Sequence, residues 1–251
     1  MLYKYETHLH TSEVSACAVS SAREMVHAFW KAGYAGIVVT DHFITERRDI
    51  AVNWTWEQKM RFLHSGYEQA EAEGQRLGLR VFFGWEMPGP RGEDYLTYNL
   101  SLNFLLAHPE IERMPFYDYS RLVRASGGLL VRAHPFRQCS YIPPNPTVDE
   151  KLIDGVEVNN GQRDDPEQNN GEAWAWALMH PELIRTAGTD IHDVRYAGLS
   201  GMAFSERFST MDQMMQAMRR HEGLLIVEGN ILDQAGNSPD AVYTAEGGTN
   251  A

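Results

Sequence analysis

Cysteine is nearly missing from this chain. Its 251 residues include two, Cys17 and Cys139, far apart and without a C-x-x-C spacing. That argues against a disulfide framework and against a cysteine-based zinc site. No apolar run reaches membrane-spanning length, and the opening MLYKYETHLH lacks the apolar stretch of a secretory signal. The expectation is a soluble cytoplasmic protein that engages no membrane. Positive charge is scarce as well: Lys plus Arg is 22 against 34 for Asp plus Glu, a net charge of −12. Such a surface disfavours non-specific adhesion to nucleic acid or anionic lipid, so nucleic acid is expected to be an unlikely partner. Internal repeats and a dividing linker are also lacking. The reading is one domain over residues 1–234 and a loose tail over 235–251, rich in Gly, Asn, Asp and Thr. At 43% hydrophobic residues, a chain of this length can bury a real core.

What is present is alternation. Short apolar runs at 2–7, 36–40, 80–85, 95–100, 129–132, 155–158, 184–188 and 224–227 read as strands. Helical patterns lie between them. Ser21 with Glu24, Thr55 with Gln58, and Thr210 with Gln213 fit capping boxes, as does Asp165 with Pro166 and Gln168. Gly33 and Gly78 stand where left-handed C-terminal caps are expected. Met211, Met214, Met215 and Met218 share one helical face, the spacing of a core stripe. Strand–helix alternation of this kind predicts an α/β fold with a mostly parallel sheet, open or closed into a barrel.

The ten histidines divide into two groups. His27, His64, His108, His180 and His221 lie in or beside helical patterns and need no special account. His8, His10, His42, His134 and His192 all fall just past the C-terminal end of a predicted strand, the edge where parallel α/β folds build their sites. In His8-Leu9-His10 both imidazoles project to one side of an extended chain, roughly 6–7 Å apart along it, while Leu9 packs behind. Asp190-Ile191-His192 repeats that arrangement with a carboxylate. Asp41-His42, Glu86 and His134-Pro135 each close an apolar run, and a carboxylate there needs a partner. Ligand-type residues at five strand ends point to a polynuclear metal site. Imidazole and carboxylate donors without thiolate suit zinc, manganese or iron. A group of cations serves hydrolysis, by lowering the pKa of a water and clamping the reacting oxygens.

The series His8-x-His10, Asp41-His42, Glu86, His134-Pro135 and Asp190-x-His192 resembles the PHP superfamily, the polymerase and histidinol phosphatase domain, over Glu6 to Asp193. The resemblance implies a distorted TIM-like (βα)7 barrel with two or three divalent metal ions at the C-terminal rim of the strands. It implies hydrolysis of a phosphate ester by a metal-bound hydroxide, and a small phosphorylated substrate such as histidinol phosphate. His8, His10, Glu86 and Asp190 would hold the first metal, Glu86 bridging to a second shared with His134. Asp94 stands where many members carry another histidine. His42 and His192 would hold the third metal. Ser15 and Ala16 occupy the positions of that site's usual further ligand, which makes Glu13 the candidate substitute. Glu86, Asp190, His192 and Arg137 are the expected catalytic set, with Arg137 and Arg195 on the substrate phosphate and Arg47 and Arg48 on the loop after His42. No Ser or Cys nucleophile is required, so Cys17 and Cys139 are expected to be dispensable. Two other readings stand beside this one. An amidohydrolase-like enzyme acting on a C–N or lactone bond also opens with H-x-H, although such enzymes commonly bridge metals through a lysine. A non-catalytic PHP module that binds metal is the other.

Overall fold

The predicted apolar runs become strands, and most of the helix signals mark real starts. The computed structural model describes residues 1–44, 53–138, 149–163 and 168–239. Its strands are β1 (Tyr3–Leu9), β2 (Tyr34–Val39), β3 (Arg80–Pro88), β4 (Asp94–Tyr98), β5 (Leu129–Arg132), β6 (Gly155–Asn160), β7 (Ile184–Gly188), β8 (Ser200–Phe204), β9 (Leu224–Val227) and β10 (Asn230–Leu232). Its α-helices are α1 (Ala22–Lys31), α2 (Trp56–Leu77), α3 (Leu102–Ala107), α4 (Phe116–Ala125), α5 (Asn170–Leu178) and α6 (Met211–Arg219). Reciprocal capping boxes start α1 at Ser21, α2 at Thr55 and α6 at Thr210. Gly78, at φ 75°, closes α2 in the left-handed conformation. The start expected at Asp165–Pro166 lies outside the described residues; α5 begins at Asn170 behind Asn169. The methionine stripe of α6 is buried.

All ten strands belong to one sheet in the order β10-β9-β8-β1-β2-β3-β4-β5-β6-β7. β1, β2 and β3 run parallel, as do β5, β6 and β7. The sheet curls until β7 returns towards β1. His10 N donates to Ile191 O at 3.0 Å and Ile191 N to His8 O at 3.2 Å, where these two strands end. Thr7 Oγ1 adds a bond to Ala187 O at 2.8 Å. A curled α/β sheet of this kind is compatible with a distorted barrel.

Two features depart from the (βα)7 plan. β4 is antiparallel to both its neighbours, because residues 89–93 are too few for a crossover helix and turn the chain back as a hairpin. β8, β9 and β10 add an antiparallel extension beside β1. The sequence reading missed β8, since Ser200-Gly201-Met202-Ala203 lacks a β-branched pattern. Gly201 is there for space: a Cβ at that position would sit 2.5 Å from Tyr5 O. Among the described residues, no helix is long and apolar enough to cross a membrane.

Candidate metal centre

Parallel strands bring their C-terminal ends to one rim, and the hairpin adds the start of β4 to that same rim. His8 is the last residue but one of β1, with His10 just beyond, while Glu86 lies two residues before the end of β3. His42, His134, Asp190 and His192 follow β2, β5 and β7. Asp94 is the first residue of β4 and pairs with Pro88 across the hairpin. Leu9 and Ile191 pack together in the apolar layer against α1, which turns their flanking donors inward. Tight local backbone helps: His134 at φ 25° and Asp190 at φ 52° both adopt positive φ, a strain of about 1–3 kcal/mol each that surrounding contacts must hold.

The side chains converge. His8 Nε2 is 3.4 Å from Glu86 Oε1 and 3.4 Å from Asp190 Oδ1. His10 Nε2 is 3.4 Å from Glu86 Oε2 and 3.1 Å from Asp190 Oδ1. A tetrahedral ion with bonds of about 2.0–2.1 Å needs donors roughly 3.4 Å apart, and these spacings are of that size; His8, His10 and Glu86 form one group close enough for a single cation. His134 Nε2 lies 3.1 Å from Glu86 Oε1 and 3.9 Å from Asp94 Oδ2. His42 Nδ1 lies 2.9 Å from Glu86 Oε2, and the His10 ring stacks between those of His42 and His192 at centroid distances of 4.3 and 4.4 Å. Among the described residues, four overlapping groups have the spacing to hold an ion: His10/His42/His192, His8/His10/Glu86, His8/His134/Asp190 and Glu86/Asp94/His134. His8 Nε2 and His10 Nε2 are buried yet make no hydrogen bond, a costly arrangement for a ring nitrogen unless a lone pair is used otherwise. The donor set therefore fits a metal centre.

Electrostatics separates the carboxylates. Burial pushes the Glu86 carboxyl up, but His8, His42 and His134 outweigh it and hold the group well below the usual range. Asp190 is likewise held well below against its burial, by His8, His10 and His192. Asp94 is raised to about 7, by burial first and then by the charge of Glu86. Near neutral pH the first two are anionic and the third is about half protonated.

A second layer aims these donors. Glu157, in the middle of β6, places Oε1 3.1 Å from His8 Nδ1, leaving Nε2 to face the centre. Its other oxygen accepts from His134 N and from Asn160 Nδ2, each at 3.0 Å. Asn160 also donates to Asp190 Oδ2 at 3.3 Å. Gly188 lets this layer close, because a Cβ there would stand 2.5 Å from the His8 Cβ. Glu6 ties β1 to the end of β7 by accepting from His8 N and Thr189 N, both at 2.8 Å. Asp41 is not a ligand. Its carboxylate accepts from Thr11 N, Thr11 Oγ1 and Ser15 Oγ.

Glu13 and Arg195 are the corrections. Glu13 turns away from the centre, its Oε2 accepting from Ala22 N at 2.9 Å where α1 begins and amide donors are in surplus. Arg195 stays at the surface, paired with Asp193 at 2.8 Å and set over the Tyr196 ring. Arg137 does reach the rim, with Nη1 3.4 Å from Asp190 Oδ2. Arg47, Arg48 and Cys139 lie outside the described residues. Sequence reasoning missed Glu157, whose signal was an acid inside the apolar strand run Gly155-Val156-Glu157-Val158. It also missed the placement of Cys17, whose thiol lies beside His42 and His192. Burial raises that thiol, but interactions with His192 and His42 outweigh it and bring the pKa to about 6.

No family model and no curated protein matches the chain. Solved structures do. A two-domain protein from Bacteroides vulgatus containing a predicted PHP-like metal-dependent phosphoesterase aligns with a TM-score of 0.68 at 15% identity, over 92% of this chain and 66% of its own. Endonuclease Q, in complex with a 27-mer duplex substrate with an abasic lesion at the active site, aligns with a TM-score of 0.61 at 11% identity, over 88% of this chain and 57% of its own. An amidohydrolase from Chromobacterium violaceum with bound sulfate aligns with a TM-score of 0.54 at 13% identity, over 95% and 99%. The chain thus spans about two thirds or less of the first two. The resemblance read from the motifs holds at the level of the fold: the chain has the architecture of the PHP-like metal-dependent phosphoesterases. One expectation falls. A fold shared with an enzyme bound to duplex DNA removes the ground for calling nucleic acid an unlikely partner. Net charge is a property of the whole surface and does not describe any one local patch.

Proposed function

We propose that this chain is a metal-dependent hydrolase of phosphoric esters. The observation that carries the reading is Glu86, whose two oxygens face His8 and His134 on one side and His10 and His42 on the other. One carboxylate so placed can be shared by neighbouring cations. His8, His10, Glu86 and Asp190 would hold one ion, Glu86, His134 and Asp94 a second, and His42 with His192 a third; zinc, manganese and iron all suit these donors. Bound divalent ions would supply a water of lowered pKa and charge neutralisation for the phosphoryl oxygens.

The chain's own residues do the rest. Glu157 and Asn160 hold His8 and Asp190 in register, so the centre needs little rearrangement when substrate arrives. Arg137, at the edge of the centre beside Asp190, offers a planar fork to phosphoryl oxygens that the ions leave uncovered. A small organic phosphate is the first substrate class to test, and a duplex with an abasic lesion is the second.

The test is a panel of phosphomonoesters, phosphodiesters, an abasic duplex, an amide and a lactone. Each is offered to protein loaded separately with zinc, manganese or iron. Cleavage of a phosphoester with inorganic phosphate as a competitor is the expected result, and Arg137→Ala should weaken that competition without changing metal content. Turnover of the amide or lactone, with no phosphoester cleaved under any metal, would replace this reading with the amidohydrolase-like one.

A further inference from the structure

Beside the metal rim, where β6 ends and α5 begins, lies a pocket of about 430 Å³ walled by carboxamides: Asn159, Asn160, Gln162, Gln168 and Asn170. Two of them also touch the rim. Asn160 Nδ2 donates to Asp190 Oδ2 at 3.3 Å, while Gln162 Nε2 donates to Asp190 O and stands beside His192 Nδ1, both at 3.2 Å. The pocket and the centre therefore share a wall one side chain thick.

The asparagines hold one another. Asn170 Oδ1 accepts from Asn160 N at 3.0 Å, and its Nδ2 donates to Asn160 O at 2.9 Å and to Asn159 Oδ1 at 3.3 Å. Asn159 Nδ2 donates to Ser200 Oγ at 2.9 Å, and Asn160 Oδ1 accepts from Gln162 N at 3.0 Å. Gln168 is the exception. It is 7% exposed, and neither its Nε2 nor its Oε1 has a hydrogen-bond partner among the described residues. A buried donor and acceptor left unmatched on one carboxamide are costly, so the pair calls for an incoming partner. The last torsion of a glutamine is broad, and a small turn presents both atoms to the cavity.

The wall also says what kind of partner fits. Among the described residues it carries one cation and one anion, Arg163 and Glu228, which face each other at 3.6 Å, so it offers no net charge to an ion. It includes no aromatic ring on which a planar base would stack, and Leu199 is its single apolar side chain. A hydroxyl both donates and accepts, so two vicinal hydroxyls satisfy a carboxamide edge whichever way the amide is turned. We propose that this pocket binds the uncharged, hydroxyl-rich part of the substrate, a sugar or polyol whose phosphate lies at the rim, with Gln168 taking up vicinal hydroxyls. This rests on the reading of the rim as a phosphoester-cleaving centre and names its substrate class.

Saturation-transfer NMR on zinc-loaded protein, with ribose, sorbitol and nicotinamide as probes, tests the pocket without turnover. Transfer to ribose or sorbitol is expected, the two arms separating a cyclic sugar from an open polyol, and it should fall in Gln168→Met. That variant replaces an unmatched buried amide with an apolar side chain of similar shape, so its thermal midpoint should rise; a structural glutamine would give a fall. In turnover, Gln168→Met should lower the preference for ribose 5-phosphate and sorbitol 6-phosphate over 4-nitrophenyl phosphate by about tenfold, with metal content unchanged. Transfer to nicotinamide alone, a lowered midpoint, or an unchanged preference overturns the proposal and leaves phosphoester cleavage standing. Transfer to ribose or sorbitol with no phosphoester cleaved under any metal overturns the reaction assigned to the rim, and the substrate role of the pocket with it.

Discussion

Glu86 and Glu157 are both buried acids on the inner rim, and their neighbours give them different work. Glu86 faces four imidazoles and, among the described residues, is the one carboxylate common to two donor groups. Glu86→Gln keeps the shape and removes the charge. It should lower metal content and cut turnover by more than about 100-fold. Circular dichroism should show the fold retained, and full turnover with normal metal content would remove Glu86 from the bridging role. Glu157 touches the centre only through His8, His134 and Asn160. Glu157→Gln should weaken metal affinity by about 10–100-fold, the usual effect of changing a residue that orients a ligand. A metal titration with unchanged affinity would reduce Glu157 to a packing residue. The ligand histidines were legible in the sequence because each stands at the end of an apolar run. Glu157 was not, because an acid in mid-strand reads as solvent-facing until its strand is known to be buried on both faces. Glu13 was misread for a related reason: sequence distance from His10 says nothing about which way a loop turns.

At the scale of elements, local signals were readable and non-local ones were not. A capping box is confined to four residues, and those at Ser21, Thr55 and Thr210 form as expected. Strand direction depends on pairing with a distant partner. The apolar run at 95–100 gave no sign that β4 would turn back on β3, yet that reversal is what brings Asp94 to the rim. A parallel β4 would have put its first residue at the opposite end of the sheet. The role of Asp94 is therefore a consequence of the hairpin. Asp94→Asn should lower occupancy of the Glu86/Asp94/His134 group alone, losing one equivalent by metal analysis while the ion held by His8, His10 and Asp190 remains. Loss of all metal would mean that the groups fill as a unit, and unchanged content would leave Asp94 outside the centre.

For the whole molecule, charge was the least transferable reading. A net −12 describes the surface, while chemistry at the rim is governed by buried carboxylates whose proton affinities differ from one another. Burial raises Asp94 from 3.8 to about 7, Glu6 from 4.5 to about 7 and Asp41 from 3.8 to about 6. Between those values the unfolded chain has already given up protons that the folded chain keeps. Linkage then requires the stability of metal-stripped protein to fall as pH rises through this window and to level off above about 7. Glu86 and Asp190, held low, act in the opposite sense: their contribution is present above the ordinary carboxylate range and is lost on acidification. Stripped protein should thus be most stable at mildly acidic pH. A cation bound at the rim would displace the proton of Asp94 and pair with the charges on Glu86 and Asp190, so its binding would release protons and strengthen as pH rises. The gap in thermal midpoint between zinc-loaded and stripped protein should therefore widen from about pH 5 to about pH 8. A gap that stays constant over that range, with zinc bound throughout, would mean that Asp94 carries no proton for the metal to displace.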